Sequence, residues 1–329
     1  MKIAVIGATG LVGQKMLRVL EEQGINADRL IVAASKRSIG KKVHFKGDAI
    51  SLVSVEEAID NKPDIAIFSA GAEASLLYAP VFAAKGTFVI DNSSAWRRDN
   101  DIPLVVPEIN ADDINADTRI IANPNCSTIA LVMALAPLHR RYGIRRTVVS
   151  TYQSVSGSGM KGLEQLHCEQ RGEHYDNPAY PHQIHENVIP QGGSFLDNGY
   201  TTEEDKLIFE TNKILHSDIA VTATVVRVPV YGGHSESVNI EFEQPYDLED
   251  AIATLKAMPG IVICDDPTEC LYPMPVTAYD KDEVFVGRIR RDFSTENGLN
   301  LWLCSDNIRK GAATNAVQIA KYIIDKSLV

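Results

Sequence analysis

The chain has 329 residues, with 32 lysines and arginines against 43 aspartates and glutamates, a formal charge of −11. Hydrophobic residues make up 45% and charged residues 23%, which excludes a disordered, collagenous or coiled-coil chain. The acidic balance opposes general binding to nucleic acid or anionic membranes, and the longest strongly apolar run, 129–138, is half a membrane span.

In chain order, residues 2–6 form a short apolar run that ends at glycine, and 11–23 carry apolar residues at helical spacing before Gly24. Buried strands are predicted at 30–34, 64–69 and 87–90. Strands alternating with helices imply a parallel sheet covered on both faces. After about residue 145 the runs 146–153, 220–230, 237–243, 284–290 and 299–304 lengthen and more often alternate apolar with polar side chains. Val238, Ile240 and Phe242 interleave with Asn239, Glu241 and Glu243, the period-two signature of a sheet with one solvated face. Helices are predicted at 161–171, 202–215, 248–258 and 307–325, and a long loop or arm at 172–201. The expected fold is an α/β Rossmann-type nucleotide-binding domain with a second α+β domain built on a mixed or antiparallel sheet.

The first strand leads into Gly7-Ala8-Thr9-Gly10-Leu11-Val12-Gly13, a GxxGxxG form of the dinucleotide fingerprint lying between a predicted strand and a predicted helix. Glycines let the backbone approach a pyrophosphate, and a helix N-terminus offers unpaired N–H groups to it. Gly7, Thr9, Gly10, Leu11 and Val12 are the candidate cradle. An NAD site usually places a carboxylate at the end of the second strand. Here Ser35-Lys36-Arg37-Ser38 stands there, with Lys41 and Lys42 following. Cations with hydroxyls suit a 2′-phosphate, so NADP is the expected cofactor, with Arg37 and Ser38 as its contacts; a solvated basic loop is the alternative.

Five cysteines are scattered without a CxxC pair, which argues against a disulfide framework or a zinc site. His182 and His185 lack an evident third ligand, so no metal is expected. Cys126 stands in Asn123-Pro124-Asn125-Cys126-Ser127-Thr128, just before an apolar helix. The positive end of a helix dipole favours thiolate. A thiolate beside a nicotinamide site can attack an aldehyde and leave an adduct from which hydride departs. His234 follows Gly232-Gly233 at a strand end, where backbone freedom lets an imidazole reach a substrate. Glycines interrupt the apolar N-terminal stretch and no small-residue cleavage site follows it, so the cytoplasm is the expected location.

The motifs GATGLVG, NPNCST, TYQSVSGSG and RVPVYGGHS stand in the order found in aspartate-semialdehyde dehydrogenases, and the chain resembles that family from end to end. The resemblance implies NADPH-dependent interconversion of L-aspartyl 4-phosphate and L-aspartate 4-semialdehyde, in the biosynthesis of lysine, methionine and threonine. It implies Cys126 as nucleophile, His234 as general acid/base and Gln153 as an orienting amide. Arg227 would hold the substrate carboxylate, and Glu210 and Lys213 would serve as the Glu-x-x-Lys pair near the amino group and the phosphate. Arg97 or its neighbour Arg98 would bind inorganic phosphate, and Asn125 would assist with the phosphate or the oxyanion. Nicotinamide contacts would fall at Ser156, Gly157 and Asn315. The last helix would return to the first domain, giving 1–125 plus 307–329 as the NADP-binding domain and 126–306 as the catalytic and dimerisation domain of a homodimer or homotetramer. Two rival readings stand beside this one. N-acetyl-glutamyl-phosphate reductase shares the cysteine–histidine logic but has no need of a carboxylate for a free amine. A non-catalytic dinucleotide-binding scaffold could lack both groups.

Overall fold

The computed structural model describes residues 1–25 and 27–329. Its elements follow as β1 (Lys2–Ile6), α1 (Leu11–Glu22), β2 (Arg29–Ala33), β3 (Lys42–Phe45), β4 (Asp48–Ser51), α2 (Val55–Asp60), β5 (Ile65–Phe68), α3 (Ala72–Ala84), β6 (Phe88–Asp91), α4 (Pro107–Asn110) and β7 (Ile120–Ala122). Then come α5 (Cys126–Tyr142), β8 (Ile144–Gln153), α6 (Gly159–Gln170), α7 (Thr202–Leu215), β9 (Ala220–Arg227), β10 (His234–Phe242), α8 (Leu248–Lys256), β11 (Ile261–Ile263), α9 (Pro275–Ala278), β12 (Val284–Asp292), β13 (Gly298–Ser305) and α10 (Asn315–Asp325).

The chain divides into two compact units, Met1–Asn125 with Ala312–Val329, and Cys126–Gly311. The first holds a parallel sheet in the order β2-β1-β5-β6-β7. Its strands are nearly all apolar because helices cover both faces. The chain leaves β1 toward β2 on one side and returns to β5 on the other, so the strand order reverses beside the glycine loop, where such sheets bind ligands. The return of α10 is fixed by Asn315, whose buried amide donates to the carbonyl of Val105 at 2.9 Å and to Asn123 Oδ1 at 2.7 Å. The chain crosses back at Ala312 rather than at 307. Residues Arg309–Thr314 wind as a π-helical turn, and the Arg309 guanidinium bonds Asp280 and Asp282 of the second unit.

The second unit is built on a mixed six-stranded sheet in the order β11-β12-β13-β10-β8-β9. β8 and β9 run parallel, as do β11 and β12, and the remaining pairs are antiparallel. Residues 172–201 carry no helix or strand, only isolated bridges such as Ile189 to Arg227 and Phe195 to Thr201. α5 is apolar almost throughout and packs on the inner face of this sheet.

Glu236 also points to that inner face, between Thr151 on β8 and Leu303 on β13, and is 1% exposed. Neither of its carboxyl oxygens has a hydrogen-bond partner among the described residues, and burial raises its pKa well above the ordinary carboxylate range. The folded state therefore holds a proton that the unfolded chain releases. That contribution is intact below the unfolded carboxyl pKa and is lost as pH rises toward the folded one, at about 1.4 kcal/mol per pH unit. Glu236→Gln keeps the shape without the charge. Thermal melts from pH 5 to pH 9 should show the variant losing less stability than the parent as pH rises. Parallel curves would show that Glu236 does not titrate.

Candidate active site

The glycine loop after β1 is shaped by close backbone approach. Gly7 has φ +88°, and a Cβ there would lie 2.3 Å from the carbonyl oxygen of Ser69. A Cβ on Gly13 would lie 2.2 Å from the carbonyl oxygen of Gly7, so α1 starts hard against the loop. Only glycine fits either position. Thr9, Gly10, Leu11 and Val12 complete the turn into α1. Lys36–Ser38 form a short helical turn after β2, where Arg37 is exposed and Ser38 partly so. The Arg97 guanidinium is buried and donates to the carbonyl of Asn92 at 2.8 Å, whereas Arg98 is exposed.

In the second unit, Cys126 is the first residue of α5. Gly311 lies against it: a Cβ on Gly311 would stand 2.8 Å from Cys126 Cβ. The next residue, Ser127, accepts a hydrogen bond from Gln153 Nε2 at 2.9 Å, which anchors the start of α5 to the tip of β8. Gln153 Oε1 is buried without a partner among the described residues. The following residue, Ser154, donates its backbone N–H to His234 Nδ1 at 3.1 Å. Ser127, the neighbour of the nucleophile candidate, and the histidine are thus tied to adjacent residues at the end of one strand.

His234 is 1% exposed, and its Nε2 has no hydrogen-bond partner among the described residues. Burial, reinforced by the Arg227 cation, pushes its pKa down to about 3, so the ring is neutral at physiological pH. Gly157 adjoins both groups. A Cβ there would meet Arg227 Nη1 at 2.7 Å and His234 Nε2 at 3.3 Å. Ser156 is buried in the same turn.

Arg227 closes β9, where its backbone bonds Ile189 in both directions at 3.0 and 2.8 Å. It lines a cavity of about 340 Å³ together with Glu203, Tyr180 and Gln191. Glu203 reaches that cavity because its neighbour holds the helix. Glu204 closes a capping box with Thr201 and accepts the N–H of Val225 on β9 at 2.9 Å. Lys206 pairs with Glu203 one turn on.

The structure places the two Glu-x-x-Lys pairs differently against this cavity. The sequence holds two such pairs, 203/206 and 210/213, with identical spacing. Glu210 is buried on α7 and does not line the cavity. It lies two turns, about 10 Å, further along the helix. α7 runs antiparallel to β9, as Val225 meets its start and Ile219 meets Asn212 near its end, so that distance carries Glu210 away from Arg227.

Residues 2–117 match the semialdehyde dehydrogenase NAD binding domain and residues 135–310 the semialdehyde dehydrogenase dimerisation domain. The chain is 49% identical to the aspartate-semialdehyde dehydrogenase of Aquifex aeolicus, covering 100% of this chain and 99% of that one. It is 46% identical to that of Bacillus subtilis, covering 99% and 98%. The chain belongs to the aspartate-semialdehyde dehydrogenase family. The crystal structure of Vibrio cholerae aspartate semialdehyde dehydrogenase II complexed with ASA superposes with a TM-score of 0.94 at 45% identity, covering 98% of each chain.

Family membership makes this an oxidoreductase with a nucleotide-binding first domain and a dimerisation domain. As an aspartate-semialdehyde dehydrogenase it has the cysteine, histidine, arginine and glutamine of the second unit at one end of one sheet. Arg97, Asn125 and Asn315 belong to the first unit. Sequence reasoning did not single out Glu203, which lines the cavity, or its partner Lys206, although the Thr201 capping box was a legible marker of where α7 begins. Among the described residues, no group of three His, Cys, Asp or Glu side chains is placed to hold a metal ion, and no helix is long and apolar enough to cross a membrane.

Proposed function

We propose that the enzyme catalyses the reversible, NADP-dependent, phosphorylating oxidation of L-aspartate 4-semialdehyde to L-aspartyl 4-phosphate through a thioester on Cys126, supplying lysine, methionine and threonine biosynthesis in the cytoplasm. The observation that carries this reading is the cavity that Arg227 and Glu203 share. A substrate with a free α-carboxylate and a free α-ammonium needs one cation and one anion side by side, and this cavity supplies both. An N-acetylated substrate has no ammonium and gives Glu203 nothing to bind.

In the biosynthetic direction the Cys126 thiolate adds to the acyl carbon, and phosphate leaves with the bonding pair. Gln153 orients the acyl group, with Ser127 fixing its amide. Arg227 takes the α-carboxylate and Glu203 the α-ammonium. Lys206 takes the place beside the phosphate that the resemblance implied for Lys213. Arg97 and Asn125 retain their proposed phosphate role, and Arg97 is preferred to the exposed Arg98 because its guanidinium is already held by Asn92. His234 holds a proton at Nε2 against the oxygen on which charge develops.

The Gly7 and Gly13 cradle fits a dinucleotide pyrophosphate, and the absence of a carboxylate in 35–38 fits a 2′-phosphate. A reduced nicotinamide dinucleotide held by this cradle would supply hydride to the reaction. The solved Candida albicans aspartate semialdehyde dehydrogenase with NADP has the same fold, at a TM-score of 0.78 and 26% identity over 100% of this chain and 99% of that one. Arg37 and Ser38 are the proposed 2′-phosphate contacts, and Ser156, Gly157 and Asn315 the proposed nicotinamide contacts. Assembly is proposed as a homodimer or dimer of dimers through the outer face of the second sheet. There Tyr152 stacks on Trp302 at 5.3 Å, and Tyr272 and Met274 remain exposed.

The test is phosphate-dependent reduction of NADP⁺ by L-aspartate 4-semialdehyde, with N-acetyl-glutamate semialdehyde in parallel. Turnover of the free amino substrate alone is the expected result. Turnover of the acetylated substrate alone would overturn the Glu203 assignment. Tight NADPH binding without turnover of either would favour the scaffold.

A further inference from the structure

We infer that Gln191 is a specificity-determining residue whose side-chain oxygen binds the α-ammonium of the substrate, alongside Glu203. The inference rests on the proposed roles of Arg227 and Glu203 and adds a residue to them. Residues 189–194 carry no helix or strand, yet they are tied to both of those side chains' elements. At one end Ile189 exchanges backbone hydrogen bonds with Arg227 on β9, at 3.0 and 2.8 Å. At the other, the Gly192 carbonyl accepts the Glu203 N–H at 3.1 Å and the Ser194 carbonyl accepts the Thr202 N–H at 2.9 Å, both in the first turn of α7. Gly192 lies hard against that turn. A Cβ on it would stand 2.8 Å from Glu203 Cβ and 2.5 Å from Val225 Cγ1. Gln191 stands between the two anchors, is half-buried, and lines the cavity that Arg227 and Glu203 share.

The substrate's α-carbon carries its carboxylate and its ammonium together, so a residue held between Arg227 and Glu203 is placed to meet one of them. The Gln191 amide selects the ammonium. Its Nε2 donates to the Gly193 carbonyl at 3.0 Å. A carbonyl only accepts, so that contact assigns the nitrogen to its end of the amide and leaves Oε1 as the end Gln191 offers a ligand. An ammonium brings three N–H donors, and the Glu203 carboxylate is already shared with Lys206. A donor left over in a buried cavity costs its full desolvation, so a further acceptor beside Glu203 stabilises the bound amine. The other uncharged polar side chains lining the cavity, Tyr180 and Ser158, are bonded to each other at 2.9 Å. Tyr180 is also fixed toward α6, where Gln165 Oε1 accepts its backbone N–H at 3.0 Å.

The consequence is discrimination. A free ammonium satisfies both Glu203 and Gln191 Oε1. An acylated nitrogen keeps a single N–H and no charge, and an aldehyde acid without the amine leaves Oε1 without a donor. A site that offers a buried polar atom rejects the analogue that cannot pair it. Gln191 therefore acts on the choice of substrate and not on the aldehyde carbon.

The test compares kcat/KM for L-aspartate 4-semialdehyde and for 4-oxobutanoate, the same aldehyde acid without the amine, at saturating NADP⁺ and phosphate. The ratio of the two values cancels any difference in the fraction of folded enzyme. In Gln191→Met, which keeps length and loses the acceptor, the ratio should fall by about tenfold to a hundredfold, through a higher KM for the amino substrate. Gln191→Glu keeps an acceptor at that position, and its ratio should stay at or above the parent's. An unchanged ratio in Gln191→Met overturns the proposal, because a residue that only supports the fold would act on both substrates alike. A ratio that falls in Gln191→Glu overturns it too, even if the methionine variant does not fold. Glu203→Gln is measured beside them. A fall in its ratio supports the Glu203 reading. An unchanged ratio there, with a fall in Gln191→Met, would overturn the Glu203 reading and leave Gln191 as the contact of the ammonium.

Discussion

Cys126→Ala is expected to abolish turnover, by on the order of 10⁴-fold or more, while leaving NADPH affinity unchanged. The size follows from the role. A side chain that forms the covalent intermediate has no partial substitute, and the neighbouring donors cannot act on a bond that does not form. The cofactor contacts proposed here lie in the glycine loop, after β2, in the turn after β8 and at the start of α10, and none of them is Cys126, so the substitution leaves them intact. Incubation with L-aspartate 4-semialdehyde and NADP⁺ without phosphate should trap an acyl mass on the parent enzyme and none on the variant. Cys126→Ser should behave like the alanine variant, because a serine hydroxyl ionises far less readily than a thiol at neutral pH. Gly311 provides a graded companion, since a methyl group there would displace Cys126 without removing the sulfur. An alanine variant of Cys126 that turns over normally would place the chemistry elsewhere.

The outline of both units was legible because their signals are local. The glycine fingerprint marked the end of β1 and the start of α1 to the residue, and the helical pattern at 202–215 gave the bounds of α7. The mixed character of the second sheet followed from the switch in periodicity after residue 145. α3 was not legible, because it is apolar on all sides with Pro80 inside and shows no helical period. The β3–β4 hairpin was missed because its strands are only four residues long and only half apolar. The site divides in the same way. Cys126, Gln153, Arg227 and His234 each sit at an element end that local patterns could place. Glu203 and Glu210 have equal spacing to a lysine and nearly equal helix phase, and only the height of α7 against β9 separates them. Asn307 lies 153 residues from Ser154, on a loop, and nothing in its neighbours announces that its amide bonds Ser154 and Gly233.

Arg227→Leu is expected to lower kcat/KM for L-aspartate 4-semialdehyde by on the order of 10²- to 10³-fold, mostly through KM. The substrate carboxylate would enter a buried cavity with no fork to meet it, beside Glu203, and an unpaired buried charge costs more than the lost bond alone. Arg227→Lys keeps the charge but not the two parallel N–H groups, so a smaller loss of about tenfold is expected. A second signature distinguishes this arginine from one that only packs. Its cation is one of the causes that hold the His234 pKa down, so Arg227→Leu removes that push while burial remains. The histidine should then titrate at higher pH than in the parent, and Arg227→Lys should largely restore the parent value. Binding curves for the substrate, together with an NMR titration of His234 in the three proteins, read both effects. A leucine variant with unchanged KM would show that the carboxylate binds elsewhere. A loss of affinity without movement of the His234 titration would show that the guanidinium swings away from the ring when the site is empty.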